Sequence, residues 1–404
     1  MGRFTKMKAR ALLVSVLLSS TAWLAGCGHY VCGATFGNST CTSSGSTTTG
    51  TGNTTAFLYF MDDSVYQVAA EGLNVSNSGN FAPLAGFTTP AFGSNLGADA
   101  GVLIVEKQYL YIPFGNGSIY GYSIDGTTGA LTTISGTPFT ALAGGSAAVA
   151  DPAGQYLFVG GPSGISVLTI NQSTGSLSEI AGSPFTSVGT PTQLVTDGLG
   201  KYLYSVVGGS SITGFSYNAS GLTALPFTLN SGVMMLASEA TGKYLFGITE
   251  NTGANGGNPD PSIYEFSIAQ SGGTAGSLSA VTPVVTTTYP PIYIAVNPNG
   301  ALVYTFNATT VSNTTTEDPI EGFSFSSSSG ALTELSGLSP FTTLLGQEGK
   351  FDQSGQYLFE IGEESTSNTS GMIPLTVNTS TGALSSVLSF AGAASYSYGV
   401  TDAP

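Results

Sequence analysis

The amino-acid sequence predicts an all-β fold, a seven-bladed β-propeller whose ring is closed when the C-terminal strand completes the first blade. Three observations lead to this prediction. A short marker strand recurs seven times, a similar turn precedes five of its copies, and a second patterned strand follows six of them. Repeats of 42 to 58 residues that contain several short strands each are typical of propeller blades.

The marker strand has a leucine or valine between two larger apolar residues, as in Tyr156-Leu157-Phe158. Its copies begin at Phe57, Tyr109, Tyr156, Tyr202, Tyr244, Leu302 and Tyr357, at spacings of 52, 47, 46, 42, 58 and 55 residues. No helical period is sustained between the turns, and short strands at regular spacing with turn residues between them indicate an all-β protein.

The turn before the marker strand begins with an acidic or amide residue and ends with Gly. Its five copies start at Asp151, Asp197, Glu239, Asn297 and Asp352. Such a side chain opens a turn by binding nearby backbone, and Gly closes the turn where φ is positive. We therefore interpret the four acids as turn caps. The alternative is a ring of cation ligands, but one acid per blade would lie too far from the next to share an ion.

The second patterned strand is apolar at its first, fourth and sixth positions and has Ser or Thr at its fifth. Its copies begin at Ile119, Ile165, Ile212, Ile263, Ile320 and Met372. The two ends of the chain also complement each other. The segment 398–402 resembles the segment 194–197 that enters a blade, whereas the first marker strand, at Phe57, lacks an entering strand. Pairing the C-terminal segment with the first marker strand would remove both exposed edges of an open array.

Residues 1–26 are predicted to be a lipoprotein signal peptide, because a basic start precedes a short apolar stretch and the sequence Leu-Ala-Gly-Cys27. Cys27 is the predicted lipid attachment site; the alternative is an ordinary secretion signal with a chance Cys. Residues 27–55 are read as a Ser/Thr/Gly-rich tether and residues 56–404 as the propeller. This predicts a bacterial cell-envelope protein anchored in the outer membrane, on its periplasmic or surface face.

Cys32 and Cys41 remain in the tether after lipidation. An exported compartment would allow them to form a disulfide. The alternative is two free thiols in a flexible stalk.

Charge restricts the partners. All 23 acids follow Cys27, and only four lysines do, so the mature chain has a formal charge of 4 − 23 = −19 and contains no Arg. Nucleic acid is excluded, and the membrane is a partner only through the lipid anchor, because direct binding to either needs basic surface. A glycan, a small molecule or an envelope protein remains as a candidate partner.

The repeats resemble the lactonase family, the 6-phosphogluconolactonase-like propellers with YVTN-type repeats. The resemblance rests on the marker turn and strand, on Thr-Gly-x-Leu at Thr128, Thr174 and Thr381, and on Ser-Pro-Phe at Ser183 and Ser339. It covers residues 57–404 and implies a seven-bladed propeller. It also implies hydrolysis of anionic sugar lactones by polar and basic residues around the channel, and here this sequence lacks the basic positions.

No catalytic residue is assigned from the sequence. The single His, His29, lies two residues past the lipidated Cys, so a Ser-His-Asp triad within the propeller is excluded. Three longer loops are predicted after the marker strands, at 250–261, 307–319 and 362–371. Their acids form a predicted ligand or cation platform: Glu250, Asp260, Glu317, Asp318, Glu363 and Glu364. The alternative is neutral insertion with solvating charge. No cofactor is required, and Ca²⁺ is a candidate ion for this platform.

Two functions follow. The first is a non-catalytic binding or scaffold module at the cell envelope, favoured by the missing His and Arg and by the acidic loops. The alternative is a lactone hydrolase, favoured by the family resemblance.

Overall fold

The structure is a computed structural model that describes residues 54–62, 67–74, 80–83, 88, 90, 92–97, 103–105, 108–187, 189–208, 211–249, 261–307, 319–335, 341–342, 345–364, 369–386, 390–391 and 397–402. Regular structure in these residues consists of β-strands, and the predicted all-β propeller is confirmed. Within the same residues we find no helix with the length and apolar character that a membrane span requires.

The strands of the N-terminal half are short and follow one another closely. In chain order they are β1 (Thr54–Asp62), β2 (Gln67–Asn74), β3 (Asn80–Pro83), β4 (Leu103–Val105), β5 (Tyr109–Pro113), β6 (Ser118–Ile124), β7 (Leu131–Thr133), β8 (Phe139–Thr140), β9 (Ala147–Ala150), β10 (Tyr156–Gly161), β11 (Gly164–Ile170), β12 (Leu177–Glu179), β13 (Gln193–Thr196), β14 (Tyr202–Val207), β15 (Ser211–Asn218) and β16 (Gly221–Leu229).

The C-terminal half continues the same pattern. Its strands are β17 (Val233–Ser238), β18 (Tyr244–Thr249), β19 (Ser262–Ile268), β20 (Leu278–Thr286), β21 (Pro291–Val296), β22 (Leu302–Asn307), β23 (Pro319–Ser326), β24 (Ala331–Glu334), β25 (Phe341–Thr342), β26 (Leu345–Phe351), β27 (Tyr357–Glu364), β28 (Thr369–Val377), β29 (Leu384–Ser386), β30 (Phe390–Ala391) and β31 (Ser397–Asp402).

These strands pair antiparallel into seven sheets. The sheets are β31-β1-β2-β3, β4 to β8, β9 to β12, β13 to β16, β17 to β20, β21 to β25 and β26 to β30. The marker strand is the second strand of every sheet. In the six sheets that contain the second patterned strand, that strand is the third. The C-terminal strand joins the first sheet as predicted, because β31 pairs with β1 from Ala56 opposite Asp402 to Met61 opposite Ser397.

The first strand of each sheet lies beside the first strand of the next. We call these seven strands the inner strands: β31, β4, β9, β13, β17, β21 and β26. Neighbours touch along the whole series, and β26 touches β31, so the inner strands form a closed ring. A ring leaves each sheet covered on both sides, which explains why the marker strands are apolar on both faces.

The core lies between neighbouring sheets. On the marker strand β10, Leu157 packs towards Tyr111 of the preceding sheet, and Phe158 packs towards Leu203 and Phe215 of the following sheet. Both side chains of β10 are fully buried. Because neighbouring side chains of the marker strand pack against different sheets, each marker strand joins two sheets. Burial of an aromatic or Leu side chain contributes about 2 kcal/mol.

Tyrosine clasps reinforce four of these interfaces. In each, the third residue of a marker strand donates its hydroxyl hydrogen to a glycine carbonyl in the third turn of the next sheet. The pairs are Tyr59 to Gly129 at 2.6 Å, Tyr111 to Gly175 at 2.6 Å, Tyr204 to Gly276 at 3.0 Å and Tyr304 to Gly382 at 2.8 Å. Each satisfied hydrogen bond contributes about 1 kcal/mol and fixes one sheet against the next.

Candidate functional site

The acids that open the marker turns are caps. Asp197 Oδ1 accepts the backbone N–H groups of Lys201 at 2.6 Å and Tyr202 at 2.7 Å, and its Oδ2 accepts that of Leu199 at 3.2 Å. Burial raises the pKa of Asp197, while these hydrogen bonds act in the opposite direction. The capping interpretation is confirmed for this turn.

The other three acids make the same kind of bonds. Asp151 and Asp352 accept the N–H of Tyr156 at 2.6 Å and of Tyr357 at 2.8 Å, and Glu239 accepts that of Lys243 at 2.6 Å. All three side chains are buried. In the part of the chain that the structure describes, no cluster of three or more acidic, His or Cys side chains could hold a metal ion. Nothing here supports the alternative cation ring.

Successive marker turns also pack against each other. A Cβ atom built on Gly242, whose φ is +65°, would lie 2.8 Å from Asp197 Oδ2 of the preceding turn. A Cβ on Gly355 would lie 2.5 Å from Asn297 Oδ1, and the amide of Asn297 donates to the Gly355 carbonyl at 2.8 Å. Glycine is therefore required at the end of the turn for two reasons: its φ is positive, and the neighbouring turn leaves no space for a Cβ atom. The turns hold one end of the inner strands in place.

The opposite ends of the inner strands are held by side chains that the sequence did not single out. They occupy the second position of the second patterned strand, directly after Ile119, Ile165 and Ile320. The Tyr120 hydroxyl accepts the Gly93 N–H at 2.9 Å, Ser166 Oγ accepts that of Leu142 at 3.0 Å, and Glu321 accepts those of Thr288 and Tyr289 at 3.0 Å. Each acceptor fixes the connection that enters the inner strand of its own sheet. The sequence did not reveal this role because the residue type varies from sheet to sheet, and Tyr, Ser and Glu share only an acceptor oxygen.

The predicted acidic platform is largely outside the described residues. Glu250, Asp260, Glu317 and Asp318 lie there, as do Cys27, His29, Cys32 and Cys41. Glu363 and Glu364 were expected in a loop at 362–371, and this expectation is wrong. They end β27, where Glu363 pairs with Ser370 and Glu364 with Thr369. The antiparallel ladder of β27 and β28 continues past the expected loop boundary, which leaves a short connection.

The inner strands bring together a different set of residues. Across all seven, the charged side chains are Glu348 and Lys350 on β26 and Asp402 on β31. Positions equivalent to Lys350, counted from the following turn, carry Val195 on β13, Ala237 on β17 and Ala295 on β21. The innermost layer is therefore mainly apolar, with its charges confined to the last inner strand and its neighbour.

Alternation along β26 decides which way these charges point. Phe351 packs against Tyr304 with ring centroids 5.7 Å apart, and a Cβ on Gly349 would meet the ring of Phe306, so this face of β26 is turned to the preceding sheet. Glu348 and Lys350 lie on the other face, which is turned to β31. Both are half-buried.

Electrostatics link these two residues with a third. Burial lowers the pKa of Lys350, and the charge of Glu348 partly opposes that shift. Burial raises the pKa of Tyr293 on β21, and the charge of Glu348 raises it further. Tyr293 packs on Phe306 with ring centroids 6.0 Å apart, so its ring lies in the interface between the β21 and β26 sheets, on the side of β26 opposite to Lys350. Lys350 and Glu348 together offer an amine that loses its proton more easily than usual and a carboxylate beside it.

Sequence reasoning missed Lys350, although a signal was present. The inner strand before the marker turn at Asp352 reads Gln347-Glu348-Gly349-Lys350, where the inner strands before the other marker turns carry no charged residue. Reading one repeat against the others would have identified Glu348 and Lys350 as exceptions.

Comparison with known proteins shows the fold. No family model and no curated protein matches the chain. Among solved structures, a presumed 6-phosphogluconolactonase from Bacteroides uniformis is 17% identical and has a TM-score of 0.62, with 86% of this chain and 99% of that chain covered. A presumed 6-phosphogluconolactonase from Bacteroides fragilis is 18% identical over 88% and 99%, with a TM-score of 0.62. A protein from Lactobacillus plantarum is 13% identical over 86% and 99%, with a TM-score of 0.61. At these identities the likeness is one of propeller architecture.

Proposed function

We propose that the chain is a lactone hydrolase whose active site lies at the centre of a closed ring of seven blades, one blade for each sheet. The observation that carries this proposal is the placement of Lys350 and Glu348 on the face of β26 turned to β31, on inner strands that are otherwise mainly apolar. The presumed 6-phosphogluconolactonases with the same fold are consistent with it.

The chemistry needs a base and a rigid site. In its neutral form Lys350 accepts a proton from water as the water oxygen bonds to the lactone carbonyl carbon. The bond from that carbon to the ring oxygen then breaks, and the Lys350 ammonium returns its proton to this oxygen. The product is an open hydroxy acid, and Glu348 holds the ammonium between the two proton transfers.

The first experiment measures hydrolysis of sugar and aliphatic lactones by the full-length chain in detergent, with and without Ca²⁺. The Lys350→Met variant is compared with Lys243→Met, because Lys243 is exposed on a marker turn. Loss of a general base lowers turnover by about a hundredfold or more. We expect that loss in Lys350→Met and none in Lys243→Met. Equal turnover by Lys350→Met and the wild type would refute the role of Lys350.

A second candidate is a binding or scaffold module of the cell envelope that uses the same centre without turnover. The charge of Glu348, which opposes the pKa shift of Lys350, favours this candidate, because a stable ion pair binds a polar ligand without needing to release a proton. Saturable lactone or sugar binding that is lost in Lys350→Met, with no hydrolysis by the wild type, would select this candidate.

We also propose that the protein is anchored to the outer membrane of a bacterium by a lipid on Cys27. The support is the basic start, the apolar stretch and the Leu-Ala-Gly-Cys sequence at residues 24–27. Metabolic labelling with a fatty acid tests this directly. Label is expected on the wild type and absent from Cys27→Ala, and labelling of both variants would refute the assignment.

A further inference from the structure

We infer that the ring centre takes uncharged lactones and rejects phosphorylated or carboxylated ones. The inference rests on the proposed function and names the substrate class of that same site. It concerns charge alone, so it is tested by comparing two substrates that share a lactone ring and differ by one phosphate.

The net charge of Glu348 and Lys350 is not positive in either protonation state of Lys350. When Lys350 is an ammonium, Glu348 cancels its charge, and when Lys350 is a neutral amine, the pair carries a net charge of about −1. The equivalent inner-strand positions Val195, Ala237 and Ala295 supply no second cation. The described inner strands therefore provide no net positive charge to receive a phosphate.

The surroundings of the inner strands add negative charge. The buried caps Asp151, Asp197, Glu239 and Asp352 lie directly after the inner strands β9, β13, β17 and β26. Lys201 and Lys243 lie beside two of these caps in sequence, but both are exposed on the outside of the marker turns. The mature chain as a whole carries −19 and has no Arg, the side chain that binds phosphate through two parallel hydrogen bonds.

The same centre suits an uncharged ring. Apolar inner-strand residues can cover the ring carbons, while the Lys350 amine addresses the attacking water. The Gln193 amide on β13 accepts the backbone N–H of Leu236 at 2.7 Å and donates to the Leu236 carbonyl at 2.9 Å. These two hydrogen bonds join β13 to β17 and occupy the Gln193 amide, so Lys350 and Glu348 on β26 are the groups left for recognition.

The experiment compares kcat/KM for glucono-1,5-lactone and for its 6-phosphate at low and at moderate NaCl. We expect at least a tenfold preference for the uncharged lactone at low salt. Added salt should raise kcat/KM for the phosphorylated lactone and leave the uncharged one unchanged, because screening weakens repulsion of the anion only. Equal values, or a preference for the 6-phosphate, would overturn the inference while leaving the proposed hydrolase intact.

A pair of variants tests the local cause. Glu348→Gln removes one negative charge at the centre, and Glu334→Gln removes one from an exposed position on β24. We expect Glu348→Gln to shift the substrate ratio towards the 6-phosphate by about tenfold, since one charge within several ångströms has an effect of this order. Glu334→Gln should leave the ratio within about twofold. An equal shift in both variants would overturn the local explanation, and no hydrolysis of either lactone would instead refute the proposed function.

Discussion

Glu265 provides the sharpest test of the packing between sheets. It lies on β19 opposite Phe246 of the marker strand, is 5% exposed, and faces the turn of the next sheet, where a Cβ on Gly330 would lie 2.5 Å from its Oε1. This interface has Phe246 where four others have a clasping tyrosine. Among the described atoms, Glu265 Oε1 has no hydrogen-bond partner. Burial raises the pKa of Glu265 to about 7.

The sign of the effect on stability follows from that pKa. The folded protein binds the Glu265 proton more tightly than the unfolded chain, whose Glu pKa is about 4.3. The contribution of Glu265 to the free energy of unfolding is therefore fully present below pH of about 4.3 and is lost as the pH rises through about 7. A shift of this size corresponds to about 4 kcal/mol at full linkage. Solvent screening at the edge of the interface reduces the effect, and we expect about 1–2 kcal/mol.

Urea unfolding at pH 5.0 and pH 8.5 measures this quantity. Glu265→Gln keeps the shape of the side chain and cannot ionise, so the difference in unfolding free energy between the wild type and this variant should change by about 1–2 kcal/mol between the two pH values. Glu334→Gln, on the exposed strand β24, serves as the control and should follow the wild type. If Glu265→Gln follows the wild type at both pH values, the buried and unpaired state assigned to this carboxyl is wrong.

Three further predictions concern the ring. Tyr304→Phe should lower the unfolding free energy by about 1 kcal/mol through loss of its bond to the Gly382 carbonyl, and urea unfolding that shows no change would contradict the clasp. Gly242→Ala should cost about 2 kcal/mol, because φ is +65° and its Cβ would crowd Asp197, and an unchanged Tm would contradict the turn packing. Deletion of 395–404 should unfold the ring cooperatively, because β1 would lose β31; a truncated protein that melts like the wild type would refute closure.

Local sequence patterns were sufficient for the repeating unit. The Asp at the start of a marker turn, the Gly at its end and the apolar strand that follows are each favoured by interactions within a few residues, as at Asp197 and Tyr202. For this reason the turn caps and the antiparallel sheets could be predicted, while the pairing of the last strand with the first was predicted from the likeness of segment 398–402 to segment 194–197. The loop boundary at Glu363 could not be predicted, because the length of a hairpin depends on the ladder between two strands.

The sequence by itself determined that the chain repeats, that its units are all-β and that residues 28–404 are strongly acidic without Arg. Only the tertiary structure decided which charged residues lie on neighbouring inner strands. Glu348 and Asp402 are 54 residues apart and lie on neighbouring inner strands, and the alternation that turns Lys350 away from Phe306 depends on how β26 packs on the preceding sheet. Such contacts arise from ring closure, which joins positions that no local pattern connects.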